Sequence, residues 1–154
     1  MGMNDDTGKQ ALAPLTRDRI EEVMRLRDWN YSIDSDGDLT GNWDHNRFYF
    51  FLTGKDKEIL QIQSRWRQDL PIELRSDVLV AINEWHQTRL WPKGYIYVDD
   101  DGRLWVHGEH VVDWEHGLTT DQLALTISCA ISTSIQMFEF LGERFEPTFG
   151  PHVP

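Results

Sequence analysis

The segment "VHGEHVVDWEHG", residues 106–117, concentrates side chains that can bind metals: three histidines and three carboxylates. Two histidines and one carboxylate are a common ligand set for zinc or iron. On a strand, His107 and Glu109 point to one face and His110 to the other, so the ligands converge only if a bulge at Gly108 redirects them. The alternative is a solvated strand face that runs into an acidic loop. One functional hypothesis is therefore a metal- or small-ligand-binding sensor that uses His107, Glu109, His110 and His116.

The stretch "SIDSDGDLTG", which starts at Ser32, has the aspartates and the glycine of a calcium loop but lacks its glutamate. With Gly37 at the sixth position of such a loop, Trp43 occupies the twelfth, where a bidentate glutamate is required. Asp-Gly between Ile33 and Leu39 instead predicts a two-residue hairpin turn with positive φ at both turn positions. We therefore expect no specific calcium site in this turn, whose aspartates are Asp34, Asp36 and Asp38.

A second Asp-Gly turn, in "YIYVDDDGRLWVHG", repeats the spacing of the first. Each turn follows a helical pattern, which ends at Trp29 in the first case and at Trp91 in the second. The sequence leaves open whether the two units arose by duplication or are two hairpins with the same turn chemistry.

Bulk properties and missing motifs argue against several function classes. The net charge of −11 in 154 residues opposes binding to nucleic acid and to anionic membranes. The sequence contains no phosphate-binding loop, nucleophile elbow or HExxH motif, so we expect neither an enzyme nor a cofactor. The single cysteine, Cys129, excludes an internal disulfide and suits a reducing compartment. The start, "MGMNDDTGKQALA", is acidic where a secretory signal is basic, so we expect a cytoplasmic protein.

The run "RFYFFL", residues 47–52, and the alternating residues 59–67 predict two neighbouring strands. If these strands pair as a hairpin, one face collects aromatic, amide and arginine side chains, among which tyrosine, phenylalanine and arginine are enriched at protein interfaces. The alternative is that a helix or a tail covers this face. The candidate partner-binding residues are Tyr49, Phe51, Gln61, Gln63, Arg65 and Arg67.

Helices must support these strands, and the sequence has signals for three of them. Thr16 is a candidate N-cap for a helix that runs to about Trp29. A second helical pattern lies within residues 69–92, and a third begins at Thr119, which forms a capping-box pattern with Gln122. The order α-β-β-β-α-β-β-α predicts an α+β domain, with a mostly antiparallel five-stranded sheet flanked by three helices.

Composition divides the chain into one domain and two tails. Residues 1–14 are small and polar, and "EPTFGPHVP" at the other end carries three prolines in nine residues. We therefore expect a single domain over residues 15–146, a disordered tail at residues 1–14 and a Pro-rich tail at residues 147–154.

The third helix carries no charged side chain from Gln122 to Phe138, which is typical of a helix that is buried all round. It is too polar and too short to span a membrane. One face is predicted to pack on the sheet: Leu123, Ile127, Ile131, Ser134, Phe138 and Leu141. The other face, with Leu125, Cys129, Ser132 and Gln136, has apolar surface left over for a second subunit, which predicts a homodimer.

Several segments in order resemble the YbjN-domain family, in its actinobacterial form: "RDWNYSIDSDGDLTGNWDHNRFYFFL", "WPKGYIYVDDDG", "EHVVDWEHG" and "TTDQLAL". The resemblance covers residues 15–145. Families of this kind are described as bacterial sensory transduction regulators, and their fold resembles that of type III secretion chaperones, which are typically dimers. The resemblance implies that fold, but it supplies no catalytic residues, and a shared fold is only an analogy for function.

The leading hypothesis is a non-enzymatic cytosolic protein-binding module, either chaperone-like or a regulatory adaptor. Its partner would be a protein held on one sheet face, and its assembly a homodimer. The sequence identifies neither the partner nor the pathway.

Overall fold

The structure, a computed structural model, describes residues 11–149. In this range the chain forms three α-helices and seven strands. A 3₁₀ turn at Ile72–Leu74 precedes the second helix. The elements in chain order are α1 Arg17–Leu26, β1 Ser32–Ile33, β2 Leu39–Trp43, β3 Asn46–Thr53, β4 Ile59–Arg65, β5 Leu70–Pro71, α2 Arg75–Thr88, β6 Lys93–Val98, β7 Arg103–Asp113 and α3 Thr120–Phe149.

The strands form one sheet in which every pairing is antiparallel. The order is β1-β2-β3-β4-β7, and the long strand β7 also pairs with β5 and β6. The predicted α+β class, with an antiparallel sheet and three helices, is confirmed. The strand count is seven instead of five because β1 and β5 have two residues each, too few to give a periodic signal in the sequence.

The predicted N-terminal caps of α1 and α3 both form. Thr16 Oγ1 accepts a hydrogen bond from the backbone N–H of Arg19 at 3.2 Å, which caps α1. At α3, the N–H of Thr119 donates to Gln122 Oε1 at 2.8 Å and the N–H of Gln122 donates to Thr119 Oγ1 at 3.0 Å. These reciprocal bonds are those of a capping box. Helix α1 ends at Leu26, earlier than predicted.

Two groups of buried side chains form the core between the sheet and the helices. The first joins α1, strands β2 to β4 and the N-terminal half of α3, and it includes Ile20, Met24, Phe48, Ile62 and Ile127. The second joins α2, β7 and the C-terminal half of α3, and it includes Val78, Trp85, Val106, Met137 and Leu141. Helix α3 therefore connects both halves of the domain.

Helix α3 is buried on the predicted face, on which all six residues predicted to pack on the sheet are inaccessible to solvent or nearly so. Its opposite side is open: Leu125 is 70% exposed. By length and composition alone, Thr120–Glu146 could cross a membrane, so the prediction that the helix is too short and too polar is wrong. Core helices pass the same test, and α3 packs in the core.

The predicted tails are described only in part. Ala13 forms an antiparallel bridge with Leu118, and α3 continues to Phe149, three residues into the range assigned to the Pro-rich tail. Residues 1–10 and 150–154 lie outside the described residues.

Both Asp-Gly segments form hairpins, but the turns are longer than predicted. Gly37 has φ +85° and Asp36 does not have a positive φ. The N–H of Asp34 donates to the carbonyl of Asp38, and the N–H of Gly37 donates to that of Asp34. This is a three-residue loop, a type I turn followed by a left-handed glycine. Gly102 repeats the arrangement with φ +75°.

The carboxylate of Asp34 is used by its own turn. Its Oδ1 accepts the N–H groups of Asp36 and Asp38, each at 2.9 Å. Burial raises the pKa of Asp38, and the neighbouring carboxylates of Asp34 and Asp36 raise it further. The oxygen atoms are therefore arranged for a backbone turn; that they bind no calcium stays a prediction.

Candidate functional site

All three helices lie against one face of the sheet, and the side chains alternate accordingly. On β3, Phe48 and Phe50 are buried while Tyr49 and Phe51 are partly exposed. On β7, the even-numbered residues from Leu104 to His110 are buried and the odd-numbered ones are not. We call the helix side the covered face and the other side the open face. The open face contains Arg47, Tyr49, Phe51, Gln61, Gln63, Arg65, Tyr95, Tyr97, Trp105, His107, Glu109 and Val111.

Five of the six predicted partner-binding residues lie together on the open face. Tyr49 pairs with Gln63 and Phe51 with Gln61 across β3 and β4, as the predicted hairpin requires. The rings of Tyr49 and Phe51 stack, with centroids 5.6 Å apart. Whether these residues bind a partner is a separate question, which the pairing does not answer.

Arg67 lies elsewhere, because β4 ends at Arg65 and the alternation ends with it. Its backbone N–H donates to Asn46 Oδ1 at 2.8 Å, and its guanidinium is 3.8 Å from the Asp44 carboxylate. Arg67 lines a separate cleft of about 230 Å³ against α3, beside Glu139. The prediction that it shares a face with Arg65 is wrong.

The strand order extends the open face beyond the predicted hairpin. Strand β7 pairs with β4 on one side and with β6 on the other, which places Arg65 opposite His107 and His107 opposite Tyr95. One row therefore runs Arg47, Arg65, His107, Tyr95 across four strands. The next row runs Tyr49, Gln63, Glu109, Lys93.

These strands enclose a shallow cleft of about 430 Å³ on the open face, which we call the aromatic cleft. Tyr95 stacks on His107 at 5.3 Å between ring centroids, and Tyr97 meets the same ring edge-on at 6.3 Å. Tyr97 is 55% exposed. The cleft is lined by Gln63, Arg65, Tyr95, Tyr97, Asp99, Trp105 and His107.

The sequence reasoning missed the three largest rings of this cleft, Tyr95, Tyr97 and Trp105. A signal was available, because alternation in "YIYV" and "RLWVHG" puts these rings at odd-numbered positions of two paired strands. The sequence pattern did not predict that β4 pairs with β7, because these strands are far apart in the chain.

Hydrogen bonds hold the cleft residues in place around Glu109. Its carboxylate accepts bonds from Lys93 Nζ at 2.8 Å, Gln61 Nε2 at 3.0 Å and the Tyr95 hydroxyl at 3.3 Å. Gln63 Nε2 donates to the same hydroxyl at 2.6 Å. Burial acts to raise the pKa of Glu109, but the bonds from Lys93 and Gln61 outweigh it, so the pKa lies below its ordinary value.

The other wall of the cleft is fixed by Trp105. Its Nε1–H donates to Asp99 Oδ2 at 2.9 Å, and this bond is the main cause of the lowered pKa of Asp99. The guanidinium of Arg65 lies 4.9 Å above the centre of the Trp105 ring. Burial lowers the pKa of His107, and the charge of Arg65 lowers it further, against the smaller opposing effect of Glu109. The lowered pKa favours the neutral imidazole of His107.

The candidate metal ligands do not converge. His107 and Glu109 lie on the open face, whereas His110 is 8% exposed on the covered face, where its ring lies 5.5 Å from that of Trp91 at an interplanar angle of 32°. His116 lies in the turn after β7 with its side chain 90% exposed, next to Glu115.

The bulge at Gly108 that convergence of the ligands would require does not form, because β7 pairs with β4 without interruption from His107 to Asp113. Gly108 has a different role: a Cβ there would lie 2.6 Å from Ser64 Oγ on the covered face. Within residues 11–149, no group of three or more histidine, cysteine or acidic side chains could hold a metal ion.

Comparisons with known proteins agree with this fold. A family model described as "YbjN: Putative bacterial sensory transduction regulator" matches residues 16–143. The chain is also similar to the crystal structure of "YbjN, a putative transcription regulator from E. coli", at 12% sequence identity and a TM-score of 0.72. That similarity covers 88% of this chain and 97% of the other, and at such low identity it shows the fold alone. No curated protein matches the chain.

Proposed function

The chain belongs to the YbjN family, as its sequence motifs predict, and from this premise we propose that it is a non-enzymatic module that holds a partner protein on its open face. The family description is that of a regulator and names no reaction. A regulator acts by binding, so the surface that can bind is the first place to look. We further propose that it works in the cytoplasm, where a single cysteine stays reduced.

The observation that carries the proposal is the aromatic cleft on a sheet face against which no helix of the described chain packs. Aromatic rings are over-represented among the residues that dominate binding energy at protein interfaces. In this cleft they are already held by neighbours: Tyr95 by Gln63 and Trp105 by Asp99. Binding therefore loses little side-chain entropy, which favours affinity.

Photo-crosslinking in the native cell tests this proposal. A photoreactive phenylalanine analogue is placed at Tyr97, which is 55% exposed on the open face. The matched control carries it at Val80, which is 56% exposed on α2. We expect one protein, identified by mass spectrometry, to crosslink from position 97 and not from position 80. Crosslinks from position 80 alone, or from neither position, contradict the proposal.

We also propose that the protein is a homodimer, which α3 supports. Leu125 is largely exposed, and Ser132 and Gln136 are exposed on the same side of an otherwise apolar helix. A small side chain such as that of Ser132 lets a second helix approach closely, and two-fold pairs are the most common closed assembly.

Light scattering coupled to size exclusion tests the dimer. The expected mass is twice 18.1 kDa. Leu125→Glu should return it to a single chain, because it buries a charge in the proposed interface. Leu90→Glu is the control, since Leu90 is 85% exposed in the loop after α2. A mass near that of one chain for the unchanged protein contradicts the dimer.

A further inference from the structure

Two arginines occupy directly opposite positions on the open face, and neither has an acidic partner within the described residues. Arg47 of β3 and Arg65 of β4 are direct cross-strand partners. Like charges at directly opposite positions of an antiparallel pair destabilise a sheet. The pair therefore calls for an explanation other than stability.

The contacts of the two guanidinium groups confirm that nothing in residues 11–149 neutralises them. Arg47 donates to Thr40 Oγ1 at 2.8 Å and lies over the Tyr49 ring. Arg65 lies over Trp105. Neither arginine takes part in an ion pair within the described residues.

The acidic group closest in register is already engaged. Glu109 lies in the neighbouring row, opposite Gln63, and its oxygens accept bonds from Lys93, Gln61 and Tyr95. The two guanidinium groups also lean away from each other. Arg47 leans toward Tyr49, on the Gln63 side of the row, and Arg65 toward Trp105 on the other side. Within the described residues, the open face thus carries two guanidinium groups without an acidic partner, in a chain whose net charge is −11.

We propose that Arg47 and Arg65 bind carboxylates of an acidic segment in the partner protein, with an apolar side chain of that segment seated in the aromatic cleft. The inference rests on the proposed function and names the chemistry of its partner. Guanidinium groups bind carboxylates through paired N–H donors, and these charge-assisted bonds are stronger than neutral ones.

The size and charge of the site favour an acidic protein segment over nucleic acid. Nucleic acid places a phosphate at every nucleotide and is bound through an extended basic surface. Among the described residues, the basic side chains of the open face are Arg47, Arg65 and Lys93, and Lys93 is paired with Glu109; the chain as a whole is strongly acidic. An apolar side chain of a bound segment fits the aromatic cleft of about 430 Å³, and Arg65 lines that cleft.

The test is a selection from a random peptide library displayed on phage, followed by affinity measurements on the synthetic peptides. We expect the selected peptides to carry Asp or Glu next to an apolar residue. In each peptide, exchanging the acid for its amide should weaken binding to the unchanged protein at least about tenfold. The difference should fall below about twofold with the variant Arg47→Gln/Arg65→Gln.

The matched control is Arg27→Gln/Arg89→Gln, which removes the same charge. Those arginines also lie over tryptophan rings, Trp29 and Trp85, at 5.7 and 5.4 Å. With this control the preference for the acid should persist. Selection of neutral or basic peptides, selection of none, or an acid preference that survives in Arg47→Gln/Arg65→Gln overturns the inference. So does tighter binding of inorganic phosphate or a single-stranded oligonucleotide than of the acidic peptides.

A further variant separates this inference from the proposed function. If acid and amide peptides bind equally, yet Trp105→Ala abolishes the binding of both, the open face binds a partner and only the anion site is wrong. If Trp105→Ala leaves peptide binding unchanged, the peptides bind elsewhere and the proposed use of the open face fails as well.

Discussion

The two faces of the sheet use the same strands for different purposes. On the covered face, apolar side chains such as Phe48, Leu60 and Val106 are fully buried against the helices. On the open face, tyrosine, tryptophan and arginine side chains are held by hydrogen bonds and ring contacts and stay partly exposed. The covered face therefore provides most of the stability. The open face keeps groups that stability alone does not explain, including an arginine pair without an acidic partner in the described residues, and the proposed binding function rests on that difference.

The largest expected difference between the faces is in stability. Phe48 and Tyr49 are neighbours on β3, one buried and one partly exposed. We expect Phe48→Ala to lower the free energy of unfolding by about 3–5 kcal/mol, because it leaves a cavity. Tyr49→Ala should cost about 1 kcal/mol, the value of a partial burial and one ring contact. Urea denaturation measures both. Equal losses would mean that the open face is covered in solution.

The second effect concerns Glu109, the centre of the polar network on the open face. Glu109→Ala leaves Lys93, Gln61 and Tyr95 without their acceptor and should cost about 1–3 kcal/mol. Because its folded pKa is lowered, its contribution is present above the ordinary value of 4.5 and is lost as the pH falls below it. Glu109→Gln is the control, since it keeps an acceptor but does not titrate. An unchanged acid sensitivity in Glu109→Gln would show that other carboxylates dominate.

How much of this was predictable depends on the distance along the chain over which the information acts. Alternation predicted that Tyr49 and Gln63 lie on one face of a hairpin, and the spacing of Thr119 and Gln122 predicted the capping box, because both signals are local. The contact of β4 with β7 joins residues such as Arg65 and His107, and nothing local specifies it. The aromatic cleft and the separation of the candidate metal ligands both follow from that contact. The prediction for Arg67 was wrong for the opposite reason, because it extended a local pattern past the end of β4.

The third prediction compares the histidines of the two faces. Burial lowers the pKa of both His107 and His110, and the charge of Arg65 lowers that of His107 as well. Since both folded pKa values lie below the unfolded value near 6.5, the folded state binds fewer protons on acidification than the unfolded state does. The contribution of the two histidines to the free energy of unfolding is fully present above pH 6.5 and falls as the pH drops toward the folded pKa values.

Titration by NMR measures each imidazole separately. In Arg65→Gln we expect the pKa of His107 to rise and that of His110 to stay unchanged, because only His107 faces Arg65. Arg89→Gln should change neither. A shift of His110 in Arg65→Gln would show that the substitution alters the packing of the whole sheet and not just the charge on one face.

The smallest expected effect is a difference in stability between two variants, and its sign distinguishes a binding surface from a structural one. Arg65→Glu replaces a like-charged cross-strand pair with an opposite-charged pair, Arg47 and Glu, and loses the contact with Trp105. Arg89→Glu changes the charge equally and loses a similar contact with Trp85, but Arg89 follows α2 and lies outside the sheet. We therefore expect the Arg65 variant to be the more stable of the two by about 0.5–1 kcal/mol in urea denaturation. The same variant should lose the acid preference in peptide binding, whereas Arg89→Glu should keep it. If Arg65→Glu is instead the less stable of the two, Arg65 is a structural residue, and the contrast between the faces does not extend to the arginine pair.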